Sequence, residues 1–173
     1  ISWGGEGKIG QTEITIMGGY TFTSPFINDI HNEYNSYSYV SGGDTLSVPI
    51  TYASTSIDTT GVLKYRYEHL AKMDINIQHN RLNLGFSARA NSAMKNIDKI
   101  FNEPLFEYSL GTKSAWDRLN ESNLILDFRI GYDLTESSTF SFNIDNMLNR
   151  EYLQRPASLG RPRTFSLLYR IKF

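Results

Sequence analysis

The sequence predicts an all-β protein built on an antiparallel sheet with one apolar and one polar face. Three observations carry that prediction. In residues 163–173, Phe165, Leu167, Tyr169, Ile171 and Phe173 alternate with Thr164, Ser166, Leu168, Arg170 and Lys172, of which only Leu168 is apolar. In residues 139–153, Phe140, Phe142, Ile144 and Leu148 oppose Ser141, Asn143, Asp145 and Asn149. The same period of two, which puts neighbouring side chains on opposite faces of a strand, recurs upstream. The connections between these stretches alternate between long and short. That is the rhythm of an outer-membrane barrel, with long loops outside and short turns in the periplasm.

Taken in order, Ile1-Ser2-Trp3 reads as the end of a strand begun upstream, and the glycine-dense GGEGKIG of residues 4–10 as a turn. Its Gly5-x-Gly7-x-x-Gly10 spacing matches a dinucleotide fingerprint, but that motif must open a helix. Residues 9–23 read instead as a strand, with Ile14, Ile16, Tyr20 and Phe22 opposite Glu13, Thr15 and Thr21. Residues 24–61 lose periodicity, as expected of a long functional loop. They hold no Lys or Arg, the acids Asp29, Glu33, Asp44 and Asp58, and a tyrosine cluster at Tyr34, Tyr37, Tyr39 and Tyr52. Strands are expected again over 62–79 and 82–93, reversing at His79-Asn80-Arg81. A second irregular stretch, 94–122, contains Phe101, Phe106, Tyr108 and Trp116. A strand over 123–134, the polar turn Thr135-Glu136-Ser137-Ser138 and the closing pair 139–153 and 163–173 complete six strands. With 79–81 and 135–138 as periplasmic turns, loops 24–61, 94–122 and 154–162 point out of the cell.

Composition narrows the function classes. Net charge is −1, so no basic surface invites nucleic acid. The absence of cysteine removes disulfides, cysteine-based zinc sites and thiol nucleophiles. No run of ~18 apolar residues can form a membrane helix, which leaves membrane β-strands open. Aromatic content is 13%, in keeping with the interfacial girdles of such barrels. Residue 1 is not Met and no signal peptide precedes it, as in a mature or cut chain.

No catalytic set is legible, so an enzyme is not expected. His31, His69 and His79 are scattered, and no G-x-S-x-G, H-E-x-x-H or EF-hand pattern occurs. No metal or cofactor site is expected either. The candidate ligand-binding residues are Tyr34, Tyr37, Tyr39, Tyr52, Trp116 and Arg161. Aromatic rings with a polar handle can stack on a ligand, or equally pack a loop against itself or form a girdle. Arg161 and Arg163 flank Pro162 where the last loop enters its strand. They could meet an anionic ligand or a lipopolysaccharide phosphate, or anchor the loop.

Two motifs carry a resemblance. Asn146-Met147-Leu148-Asn149-Arg150-Glu151-Tyr152 resembles the "N-L-F-(N/D)-K-x-Y" signature of the penultimate strand of TonB-dependent outer-membrane receptors, with Met147 in place of the usual Leu or Phe. Leu159-Gly160-Arg161-Pro162-Arg163-Thr164-Phe165, leading to Ile171-Lys172-Phe173, is similar to that family's ending. The resemblance is strong over 123–173, fair over 62–93 and weak in the loops. It implies the carboxy-terminal part of a 22-stranded transmembrane barrel, about its last six strands, with plug and TonB box outside this chain. It also implies the bacterial outer membrane, with lipid, the upstream strands, the plug, TonB and an extracellular nutrient as partners. By family frequency that nutrient is a ferric siderophore or other iron complex. Tyr169, Ile171 and Phe173 would then form the terminal signal read by the barrel-assembly machinery. The alternatives are a soluble antiparallel β-sandwich acting as a binding module, and a different outer-membrane barrel, an adhesin or an enzyme.

Overall fold

The structure is a computed structural model that describes residues 1–172; Phe173 of the expected terminal signal lies outside the described residues. Seven strands make one antiparallel sheet: β1 (Ser2–Ile9), β2 (Thr12–Phe22), β5 (His69–His79), β6 (Leu82–Asn91), β7 (Asn123–Thr135), β8 (Ser138–Asp145) and β11 (Thr164–Ile171). Each lies beside the next in that order, a meander with β1 and β11 as its edges. A second hairpin, β3 (Glu33–Ser41) with β4 (Asp44–Thr51), stands apart, as does the short pair β9 (Leu153–Arg155) and β10 (Ser158–Leu159). The helices are short: α1 (Tyr52–Thr55), α2 (Pro104–Leu110) and α3 (Thr112–Leu119), with a 3₁₀ turn at Lys99–Asn102. Among the described residues no helix is long and apolar enough to cross a membrane. The fold is all-β and antiparallel, and the sheet is not closed into a barrel.

Cross-strand partners point to the same side of a sheet, so register tests the predicted faces. Ile16 pairs with Ile75 and Ile75 with Phe86. Phe86 pairs with Phe128, Phe128 with Ile144 and Ile144 with Phe165. One apolar row therefore crosses six strands. On the other side Asn76 pairs with Gly85, Gly85 with Arg129 and Arg129 with Asn143. Each face uses a glycine to seat a large flat group. A Cβ on Gly18 would meet the Trp3 indole at 2.3 Å on the apolar side. A Cβ on Gly85 would meet the Arg129 guanidinium at 2.7 Å on the polar side.

Several expected boundaries move. The glycine-dense stretch read as a turn is strand β1, because its backbone is fully laddered to β2, and the reversal falls at Gly10, whose φ is 61°. The strand expected over 62–79 starts only at His69. Tyr65, at φ 62°, breaks extended geometry just before it, where Tyr65 N–H and Ile57 N–H donate to the carbonyls of Asn96 and Ile97 instead of to a neighbouring strand. The strand expected over 139–153 stops at Asp145. Asn146 and Asn149 both adopt φ 51°, a left-handed conformation that asparagine tolerates better than most residues, and they turn the chain out of the sheet. The Asn146–Tyr152 motif is thus a loop. All short turns lie at one end of the sheet, and residues 23–68, 92–122 and 146–163 fold together at the other.

Candidate functional site

The three excursions build a cap with its own small core. Met94, Ile97, Trp116, Leu119 and Leu153 form one buried cluster drawn from the second and third excursions, with Ile57 and Tyr67 of the first packed against it. Buried polar groups need partners, and here they knit the excursions together. Asn96 has no exposed surface; its amide donates to the Val62 carbonyl at 2.6 Å and its Oδ1 accepts from Asp58 N–H at 3.1 Å. The Asp98 carboxylate accepts from Lys64 Nζ and the Tyr65 hydroxyl, tying excursion two to excursion one. The Tyr67 hydroxyl donates to the carbonyls of Leu153 (3.1 Å) and Gln154 (3.0 Å) in excursion three. Burial raises the Tyr67 hydroxyl above the ordinary tyrosine range. Asn120 closes the second excursion by exchanging two hydrogen bonds with Met94, each 2.8 Å.

Three carboxylates in the cap are held ionised by local donors. Asp58 lies below its usual range because Thr60 donates from both hydroxyl and backbone. Glu68 is lowered chiefly by its hydrogen bond from Lys95 at 2.9 Å. Glu107 is lowered by donation from Ser114, which joins α2 to α3. Ion pairs Arg118–Glu151 (2.7 Å) and Arg150–Glu121 (2.8 Å) bind the second excursion to the third.

The expected ligand residues separate within this frame. Tyr37 and Tyr39 stand exposed on the β3–β4 hairpin with ring centroids 6.2 Å apart, on the same side as Leu46 and Val48. Tyr34 is exposed too, with its hydroxyl 3.2 Å from Thr55 Oγ1. Tyr37 borders an open cleft of about 670 Å³ that Lys99, Ile100 and Glu103 also line. Tyr52 is a structural hub: its hydroxyl donates to the Val62 carbonyl at 2.8 Å and accepts from Lys64 N–H at 2.6 Å. Trp116 lies in the buried cluster, 9% exposed, and offers no ring face to a ligand. Arg161 is exposed, and its backbone carbonyl accepts from Asn146 Nδ2 at 2.9 Å. Tyr169 and Ile171 lie along the apolar side of β11. Sequence reading missed Asn96, Asp98 and Tyr67, which organise the cap. Asn96 and Asp98 lie in the irregular stretch 94–122 and Tyr67 within an expected strand, so no local pattern marked them.

The second surface is the apolar side of the sheet. Phe140, Leu167 and Tyr169 are exposed there, and Phe142 stacks on Phe165 at 6.1 Å. At its excursion end Tyr20, Phe22 and His69 form an aromatic group, with the Tyr20 hydroxyl 2.7 Å from His69 Nδ1. The polar side instead holds hydrogen-bonded pairs such as Ser87 with Asp74 (2.6 Å) and Arg129 with Asn76 (2.9 Å). Among the described residues no group of three or more His, Asp or Glu side chains is placed to hold a metal ion.

No protein-family model matches the chain, and no curated protein matches it in sequence.

Proposed function

We propose that the chain is a lipid-embedded wall segment of a TonB-dependent outer-membrane receptor, completed to a closed barrel by further strands on the edges of β1 and β11. The observation that carries this reading is the uncovered apolar face across a meander whose turns are all short at one end and whose excursions are all folded at the other. A water-soluble sheet hides such a face against a second layer. In a bilayer hydrocarbon is the second layer, and spans of ~9–11 residues suffice. Strands β2, β5, β6 and β7 run 11, 11, 10 and 13 residues. An open seven-stranded sheet leaves backbone groups unpaired at both edges, which hydrocarbon does not tolerate, and closed barrels begin at about eight strands.

In this reading the cap faces outward, captures a large scarce nutrient and passes it to a plug coupled to TonB. The resemblance favours a ferric siderophore or other iron complex, and the exposed Tyr34, Tyr37 and Tyr39 are the residues offered to it. The polar side of the sheet lines the lumen. The test is extraction of the full-length polypeptide from a membrane fraction. Release only by detergent, with a folded form that migrates differently before and after boiling, is the expected result. A clear aqueous monomer overturns the reading and favours a soluble binding module.

A further inference from the structure

We propose that Arg161 and Arg163, with Arg155 on the same excursion, bind the phosphate groups of an anionic lipid in the leaflet around the excursion end of the sheet. This rests on the membrane reading above. Residues 154–163 contain three arginines and no carboxylate, while residues 24–61 contain four carboxylates and no Lys or Arg. Elsewhere in the cap Lys64, Lys95, Lys113, Arg118 and Arg150 each have a carboxylate partner, while Arg66 and Lys99 stand singly, not as a group. Among the described residues Arg155, Arg161 and Arg163 enter no such pair, and all three are exposed.

The side of the sheet on which Arg163 lies identifies the partner. Arg163 shares strand parity with Phe165, Leu167 and Tyr169, and its guanidinium lies over the Phe165 ring, 6.0 Å from the centroid. Phe165 in turn stacks on Phe142 within 7° of parallel. The cation therefore marks the rim of the apolar face, on its outer side and away from the polar face that a soluble nutrient would meet. Anionic headgroups sit at that level of a bilayer, and the planar guanidinium matches a phosphate with two hydrogen bonds. The backbone beneath is fixed. Asn146, 2% exposed, holds the Arg161 carbonyl, Asn149 Oδ1 accepts the Arg163 N–H at 3.0 Å, and Pro162 between them restricts φ. Behind them the Tyr152 ring lies against Gly160, where a Cβ would come within 2.1 Å. The exposed arginine side chains extend from a loop whose backbone is anchored.

The experiment titrates the full-length protein in detergent with diphosphoryl lipid A, with phosphatidylcholine and with inorganic phosphate, read by native mass spectrometry. Lipid A should bind in preference to phosphatidylcholine, with affinity falling as salt rises. Arg161→Gln and Arg163→Gln should each weaken it about fivefold, and the double variant roughly thirtyfold. Unchanged lipid A binding by the double variant, or equal binding of phosphatidylcholine, overturns the proposal. So does saturation by inorganic phosphate with no lipid bound, which would make this a soluble-anion site. Migration before and after boiling is read on the same samples. A double variant that keeps the folded form yet binds lipid A normally sinks this inference alone, whereas a wild type that never enters the membrane sinks the receptor reading with it.

Discussion

In the cap, Met94, Ile97 and Leu153 are each at most 3% exposed, whereas on the apolar face of the sheet Phe165 is 61% and Leu167 70% exposed. The cap is assembled from irregular chain, short helices, the β3–β4 hairpin and the short pair β9–β10, and still closes its own core. The sheet is a regular meander, broken in register only between Asp133 and Thr135 of β7, and closes none. Regularity and self-sufficiency are separate properties here. The cap buries its own apolar cluster and pairs most of its buried polar groups internally, Ser56 Oγ excepted, so its stability belongs largely to the chain. The sheet's apolar side chains gain burial only from something beyond these residues, so its stability depends on its surroundings.

The sharpest way to break that comparison is Trp116→Ala. Loss of a buried indole costs ~3–5 kcal/mol, partly through the cavity it leaves. Amide exchange should quicken across residues 92–122 and in the packed segments of the other two excursions, while β5, β6 and β7 stay protected. Loss of protection in the sheet as well would show that the two regions unfold as one. Next comes Ile75→Arg, mid-strand on the apolar face, expected to cost ~2–4 kcal/mol in a bilayer. Gln78→Arg, on the polar face of the same strand, should lie near zero. Urea unfolding in lipid vesicles measures both, and equal costs would mean that the faces do not differ in environment. The smallest effect is acid sensitivity. Asp58, Glu68 and Glu107 have folded pKa values below their unfolded ones. Their contribution is present above the unfolded carboxylate range and fades as pH falls through the lowered folded values. All three are exposed enough for solvent screening to keep the effect small. A drop of roughly a degree or two in the cap's melting temperature below about pH 4 is expected.

Legibility in the sequence divides along the same line. Alternation exposed β2, β5, β6, β7, β8 and β11 with their faces, because a strand writes its environment into every second residue. β1 escaped, since Gly4, Gly5 and Gly7 carry no side chain to alternate and glycine density mimics a turn. The cap escaped because its core joins residues far apart in sequence, Ile57 and Tyr67 with Met94, Ile97 and Trp116 and with Leu153. Helix α2 left a local trace, Pro104 at its first turn and Gly111 at its left-handed end, but it spans only seven residues. Of the site residues, Tyr37 and Tyr39 surfaced where a ligand can reach them, while Trp116 and Tyr52 were drawn inward. Sequence does not separate those fates, since an aromatic ring serves stacking and packing alike.

The chain carries two tryptophans, and they fall one to each region: Trp3, 54% exposed on the apolar side over Gly18, and Trp116 in the cap core. The molecule is in effect labelled at both sites without any added dye. Brominated acyl chains should quench the emission of Trp3 and leave that of Trp116, so one fluorescence spectrum reports insertion and cap folding as separate signals. A Trp3→Phe variant isolates the second of them, and the small gap between indole and phenyl faces outward, where surrounding acyl chains can refill it.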